Sequence, residues 1–116
     1  MIEEIIEDDE TDEIIFETEQ DFIEHVENNP YCLVGKEETI AHEREHFYKA
    51  IELGYFPSYG FTIKIFPFYG EYHISIIKQD SKQFFEDMIN IASYPKNLSK
   101  GDLELIEECN KKLDGY

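Results

Sequence analysis

Two stretches in the middle of the chain alternate apolar and polar residues with a period of two. In FTIKIF (61–66), Phe61, Ile63 and Ile65 alternate with Thr62 and Lys64; in YHISII (72–77), Tyr72, Ile74 and Ile76 alternate with His73 and Ser75. That period belongs to a strand with one covered face. The intervening PFYGE (67–71) holds Pro67 and Gly70, which predicts an antiparallel hairpin.

The remaining segments read mainly as helix. Thr18 opens one that reaches about Asn28, with Asp21 three residues after the cap and Phe22, Ile23 and Val26 as its apolar side. A second runs from about Lys36 to Leu53, with Glu37 and Glu38 at its positive end and Gly54 placed to stop it. Asp80 or Ser81 caps a third, ending near Ser93 before Pro95. Ser99 caps the last, with Asp102 three residues on and Leu103, Ile106, Asn110 and Leu113 along one stripe. EIIFE (13–17) reads as a short strand and NNPYCLVGK as a loop, while the acidic residues 1–13 read as a frayed or loosely attached N-terminus, with a helical turn or a short edge strand as the alternatives. The order strand, helix, helix, hairpin, helix, helix predicts one α+β domain over residues 1–116.

Composition narrows the function classes. With 41% apolar residues, including nine Phe and eight Tyr, a chain of 116 residues can build a real core. Its net charge of −17 opposes binding to nucleic acid and to anionic lipid and favours basic protein partners. No stretch is apolar enough to span a bilayer and MIEEIIEDDE is no signal peptide, so a cytoplasmic protein is expected. Abundant Glu, Ile, Lys and Tyr with few Gln suggest a thermophilic or AT-rich source. Cys32 and Cys109 form no C-x-x-C pair and are expected as buried thiols or as one disulfide.

The chemistry-bearing motif lies in IAHEREHFYKAIELGY (40–55), where His42, Glu43 and His46 spell H-E-x-x-H. Residues four apart share a helical face, so both imidazoles can reach one ion. Glu43 falls about 80° further round, where it can act on water instead of binding the ion. Ile40, Phe47 and Ile51 mark the centre of the apolar side, and Ala50 and Leu53 extend it to the histidines. Arg44, Glu45, Tyr48, Lys49 and Glu52 take the opposite arc, which puts His42 and His46 at the covered edge. The competing reading is two ordinary histidines in an acidic helix.

A catalytic zinc needs a third protein ligand. Asp102, Glu86, Asp87, Glu71 and His73 are the candidates. Asp102 lies on the same side of its helix as Cys109 and can point inward, although its place in the cap already accounts for an acid there. His73 belongs to the polar face of the hairpin and is expected at the surface. His25, near the end of the first helix, suits that helix's negative end.

IAHEREHFYKAIELGY, a hairpin, and then FFEDMINIASYPKNLSKGDLELIEECNKKL resembles the zincin core of FtsH-type, membrane-anchored AAA+ protease peptidase domains, across about residues 40–113. The resemblance implies a zincin-like core over 36–113, Zn²⁺ on His42, His46 and Asp102, and Glu43 as general base for attack on a peptide or protein substrate. It also implies that an edge strand, 61–66 or 72–77, aligns substrate through main-chain hydrogen bonds. The chain departs from the family at Arg44 and Glu45, where small residues are usual. The expected function is therefore a small zinc-dependent metallopeptidase. The alternative is a non-catalytic acidic module or inhibitor that docks a basic protein or mimics nucleic acid.

Overall fold

Both alternating segments are strands in the computed structural model, which describes residues 11–30, 32, 35–65 and 68–116. β1 (Thr11–Ile15), β2 (Ser58–Ile65) and β3 (Phe68–Ser75) form an antiparallel sheet in the order β1-β2-β3. β2 pairs with β3 from Ser58↔Ser75 to Ile65↔Phe68, and with β1 from Ile15↔Gly60 to Thr11↔Lys64. Four helices complete the described α+β fold: α1 (Glu19–Glu27), α2 (Lys36–Glu52), α3 (Lys82–Ser93) and α4 (Lys100–Leu113). None of them is long and apolar enough to cross a membrane.

The hairpin departs from expectation in two ways. PFYGE is strand from Phe68 onward, with Gly70 opposite Ile63. Gly70 there marks a close approach, since a Cβ would collide with the Phe61 ring. β2 is the central strand, so the 61–66 segment has no free edge for a substrate; of the two proposed segments only β3 lies at an edge. Residues 11–13 are paired in β1 at an edge of the sheet, which is the edge-strand alternative and not fraying, while residues 1–10 lie outside the described residues.

The chain forms two compact units, whose boundaries fall at Glu43–Arg44 within α2 and at the two ends of the hairpin. In the first unit, α1 begins where Thr18 Oγ1 accepts the Asp21 N–H at 3.1 Å. Phe22 stacks on Tyr59 with ring centroids 4.3 Å apart, and both are buried. His25 does more than suit a helix end. Its ring packs among Phe16, Phe61 and Tyr72, and its Nδ1 lies 2.7 Å from the Tyr72 hydroxyl, which also accepts from Asn29 Nδ2 at 3.0 Å. Burial lowers the pKa of His25.

The opposite face of the sheet is polar. His73 is half-buried there, its ring lying over Gly60, and its Nε2 is 2.8 Å from Thr62 Oγ1 and 3.4 Å from Glu13 Oε1. One imidazole thereby joins all three strands.

In the second unit, Ser81 caps α3 by accepting the Phe84 N–H at 3.1 Å. The core gathers Ala50, Phe84, Phe85, Met88, Ile91 and Cys109, with Leu53, Tyr55, Ile76 and Leu113 packed around them. Asp87 is buried and accepts from the Tyr55 hydroxyl at 2.5 Å and from Gln83 Nε2 at 2.9 Å. Burial and this carboxylate push the Tyr55 hydroxyl up to about 12. Gly54 follows α2 with φ of 95°, a conformation that costs glycine little. Cys32 and Cys109 are thiols, the first half-buried with its Sγ 3.5 Å from Thr39 Oγ1 and the second buried.

Adding a methyl at Gly60 would place it 2.6 Å from His73 Cε1. Gly60→Ala is therefore expected to cost about 1–3 kcal/mol in urea denaturation. In a His73→Ala background the same change should cost less than about 1 kcal/mol. Equal costs in both backgrounds would refute the ring-on-glycine packing.

Candidate metal centre

The covered face of α2 is not centred on its apolar residues. Ile51 is 48% exposed, whereas Glu43, His46 and Ala50 are 7%, 5% and 0% exposed. The buried line is turned by about 80° from the expected Ile40–Phe47–Ile51 line, and it puts Glu43 and His46 at the middle of the covered side. The apolar residues of α2 are spread too widely around the helix to define a face. Polar partners supplied by α3 and α4 decide the orientation instead.

His46 makes both of those contacts. Its Nδ1 lies 2.8 Å from the carbonyl oxygen of Ile91, in the last turn of α3. Its Nε2 lies 3.0 Å from Asp102 Oδ1, in the first turn of α4. An imidazole with an acceptor at each nitrogen satisfies both only when doubly protonated. Burial pulls the His46 pKa down, but the hydrogen bond to Asp102, the Ile91 carbonyl and the charges of Asp102 and Glu45 outweigh it, and the pKa is raised.

Asp102 is held in the expected capping box. Its Oδ2 accepts the Ser99 N–H at 2.9 Å, and the Ser99 hydroxyl oxygen accepts the Asp102 N–H at 3.1 Å. The cap and the inward role are therefore compatible, because each uses a different carboxylate oxygen. α4 itself is rotated relative to expectation: Leu103 is 55% exposed, and the inward stripe runs Asp102, Ile106, Cys109, Leu113.

His42 stands one turn before His46 and is half-buried. Ligand atoms of His42, His46 and Asp102 all lie within 4.8 Å of one another, a group able to hold a metal ion. Glu43 Oε1 is 3.9 Å from His42 Nε2. The other candidates for third ligand stand elsewhere. Asp87 is engaged by Tyr55 and Gln83; Glu86 lies 4.0 Å from Lys82; Glu71 is exposed; His73 is tied to Thr62 and Glu13.

One participant escaped the sequence reading. The Ile91 carbonyl belongs to the backbone and has no residue-type signature, although the last carbonyls of any helix need outside partners. Compared with protein-family models, curated proteins and solved structures, the chain matches none.

In the metal-free protein the raised His46 pKa fixes a sign. Stability from the His46–Asp102 pair is fully present below the ordinary imidazole value of 6.5 and is lost as pH rises through the higher folded value. Loss of the cap in Asp102→Asn adds only an offset that does not vary over this range. Wild type should therefore exceed Asp102→Asn in melting temperature most at pH 5.5, with the gap narrowing toward pH 8.5 in the presence of a chelator. A gap independent of pH would contradict the ion pair.

Proposed function

We propose that the chain is a small zinc-dependent hydrolase with a zincin-like core, acting on peptide bonds, with His42, His46 and Asp102 as metal ligands and Glu43 as general base. The observation that carries this reading is the convergence of the H-E-x-x-H histidines with a carboxylate 56 positions further on. The donor set fits the ion. Two imidazoles and one carboxylate leave an open position, as catalytic zinc sites require. The remaining ring nitrogen of His46 is held by a carbonyl and the remaining oxygen of Asp102 by an N–H, the outer contacts that orient metal ligands.

Zinc, when bound, supplies Lewis acidity, polarising a carbonyl and acidifying water. Glu43 supplies the base. Its carboxylate is buried next to His42, so a proton taken from attacking water is held where solvent competes little. The two departures from the family, Arg44 and Glu45, stand at exposed positions, and the Arg44 guanidinium lies 5.6 Å from the Tyr48 ring centroid. Neither bulky side chain occupies the covered side of α2.

Untagged protein is expected to carry equimolar zinc after dialysis, and His46→Ala and Asp102→Ala to lose it. Glu43→Gln should keep the zinc and lower cleavage of a mixed peptide library by about 100-fold or more. Background metal alone in the wild-type protein would end this reading and leave the acidic binding module in its place.

A further inference from the structure

α2 carries one more polar side chain on its ligand stripe. His42, His46, Lys49 and Leu53 follow the spacing i, i+4, i+7, i+11, so Lys49 stands next along the helix after the histidines. Lys49 was expected on the solvated arc; instead its side chain is 21% exposed, against 67%, 74% and 92% for Lys82, Lys111 and Lys100. Its Nζ lies 5.2 Å from the centroid of the Tyr94 ring. Tyr94 is fastened to the site, because its N–H donates to the Ile91 carbonyl, the same oxygen that faces His46 Nδ1. A lysine ammonium is thus docked on the aromatic neighbour of the metal-ligand network, in a chain whose net charge is −17.

We propose that Lys49 anchors a carboxylate of the substrate, so that the site takes short peptides by their free C-terminus. This rests on the metal-centre reading above. The spacing suits it. His46 and Lys49 are separated by about 4.5 Å along the helix axis. One residue of extended peptide, about 3.8 Å between successive Cα atoms, separates the last peptide carbonyl from the terminal carboxylate. An acidic chain repels an anionic substrate everywhere except where a cation compensates, and Lys49 beside a divalent ion supplies that compensation. Its present partner, Glu52 at 3.2 Å, is 66% exposed and easily displaced. The Tyr94 ring holds the ammonium in place while the carboxylate is exchanged.

The probe pair is 3-mercaptopropionate and its amide, which share a metal-seeking thiol and differ only in the carboxylate. Binding to the cobalt-substituted protein is read from the thiolate-to-cobalt absorption band. The ratio of acid to amide affinity should fall by about fivefold or more in Lys49→Met and recover in Lys49→Arg. An unchanged ratio in Lys49→Met overturns the anchor while leaving the metal centre standing. Failure of the wild-type protein to take up cobalt overturns the metal centre, and the anchor with it.

Discussion

A single imidazole ties α2, α3 and α4 together. His46 belongs to α2, its Nδ1 is fixed by a carbonyl of α3, and its Nε2 meets a carboxylate of α4. Buried polar groups are costly when left without partners, so this arrangement specifies how the helices must be rotated. It accounts for two rotations that side-chain hydrophobicity alone would not predict. α2 exposes Ile51 and covers Glu43 and His46, and α4 exposes Leu103 and covers Asp102. The two stripes even share one spacing, 42–46–49–53 and 102–106–109–113, with the candidate metal ligands at their N-terminal ends.

Much of the architecture was legible because it is written in local chemistry. Thr18, Ser81 and Ser99 are caps with the partners that their sequence context predicts, and Gly54 stops α2. The strands were recognisable from period-two alternation. What could not be read depends on contacts between distant parts of the chain. Gly70 looked like a turn residue but faces the Phe61 ring, and β2 became central only because β1 pairs with its far side. His25 looked like a helix-end residue because its aromatic neighbours Phe61 and Tyr72 come from the hairpin.

The candidate site divides in the same way. The spacing of His42, Glu43 and His46 is a helical property and survives intact. Asp102 was one of five choices for a third ligand, since nothing local distinguishes an acid at a cap from an acid that also points inward. Its two carboxylate oxygens serve both positions, Oδ2 at the cap and Oδ1 beside His46 Nε2. Lys49 falls on the arc opposite the apolar side, yet it is largely covered, because a lysine stem can lie along protein while its ammonium rests on a ring.

The corner where His46 meets Asp102 also brings together two helix ends of opposite polarity. The last turn of α3 offers its negative carbonyl end to His46, and the first turn of α4 offers its positive amide end to Asp102. Each ionised side chain therefore faces the pole that favours its charge. In the proposed function, a divalent ion would take the place of the imidazolium proton between the same two poles. The polarity of this corner thus comes from the backbone of two helices and is set whatever cation lies between them.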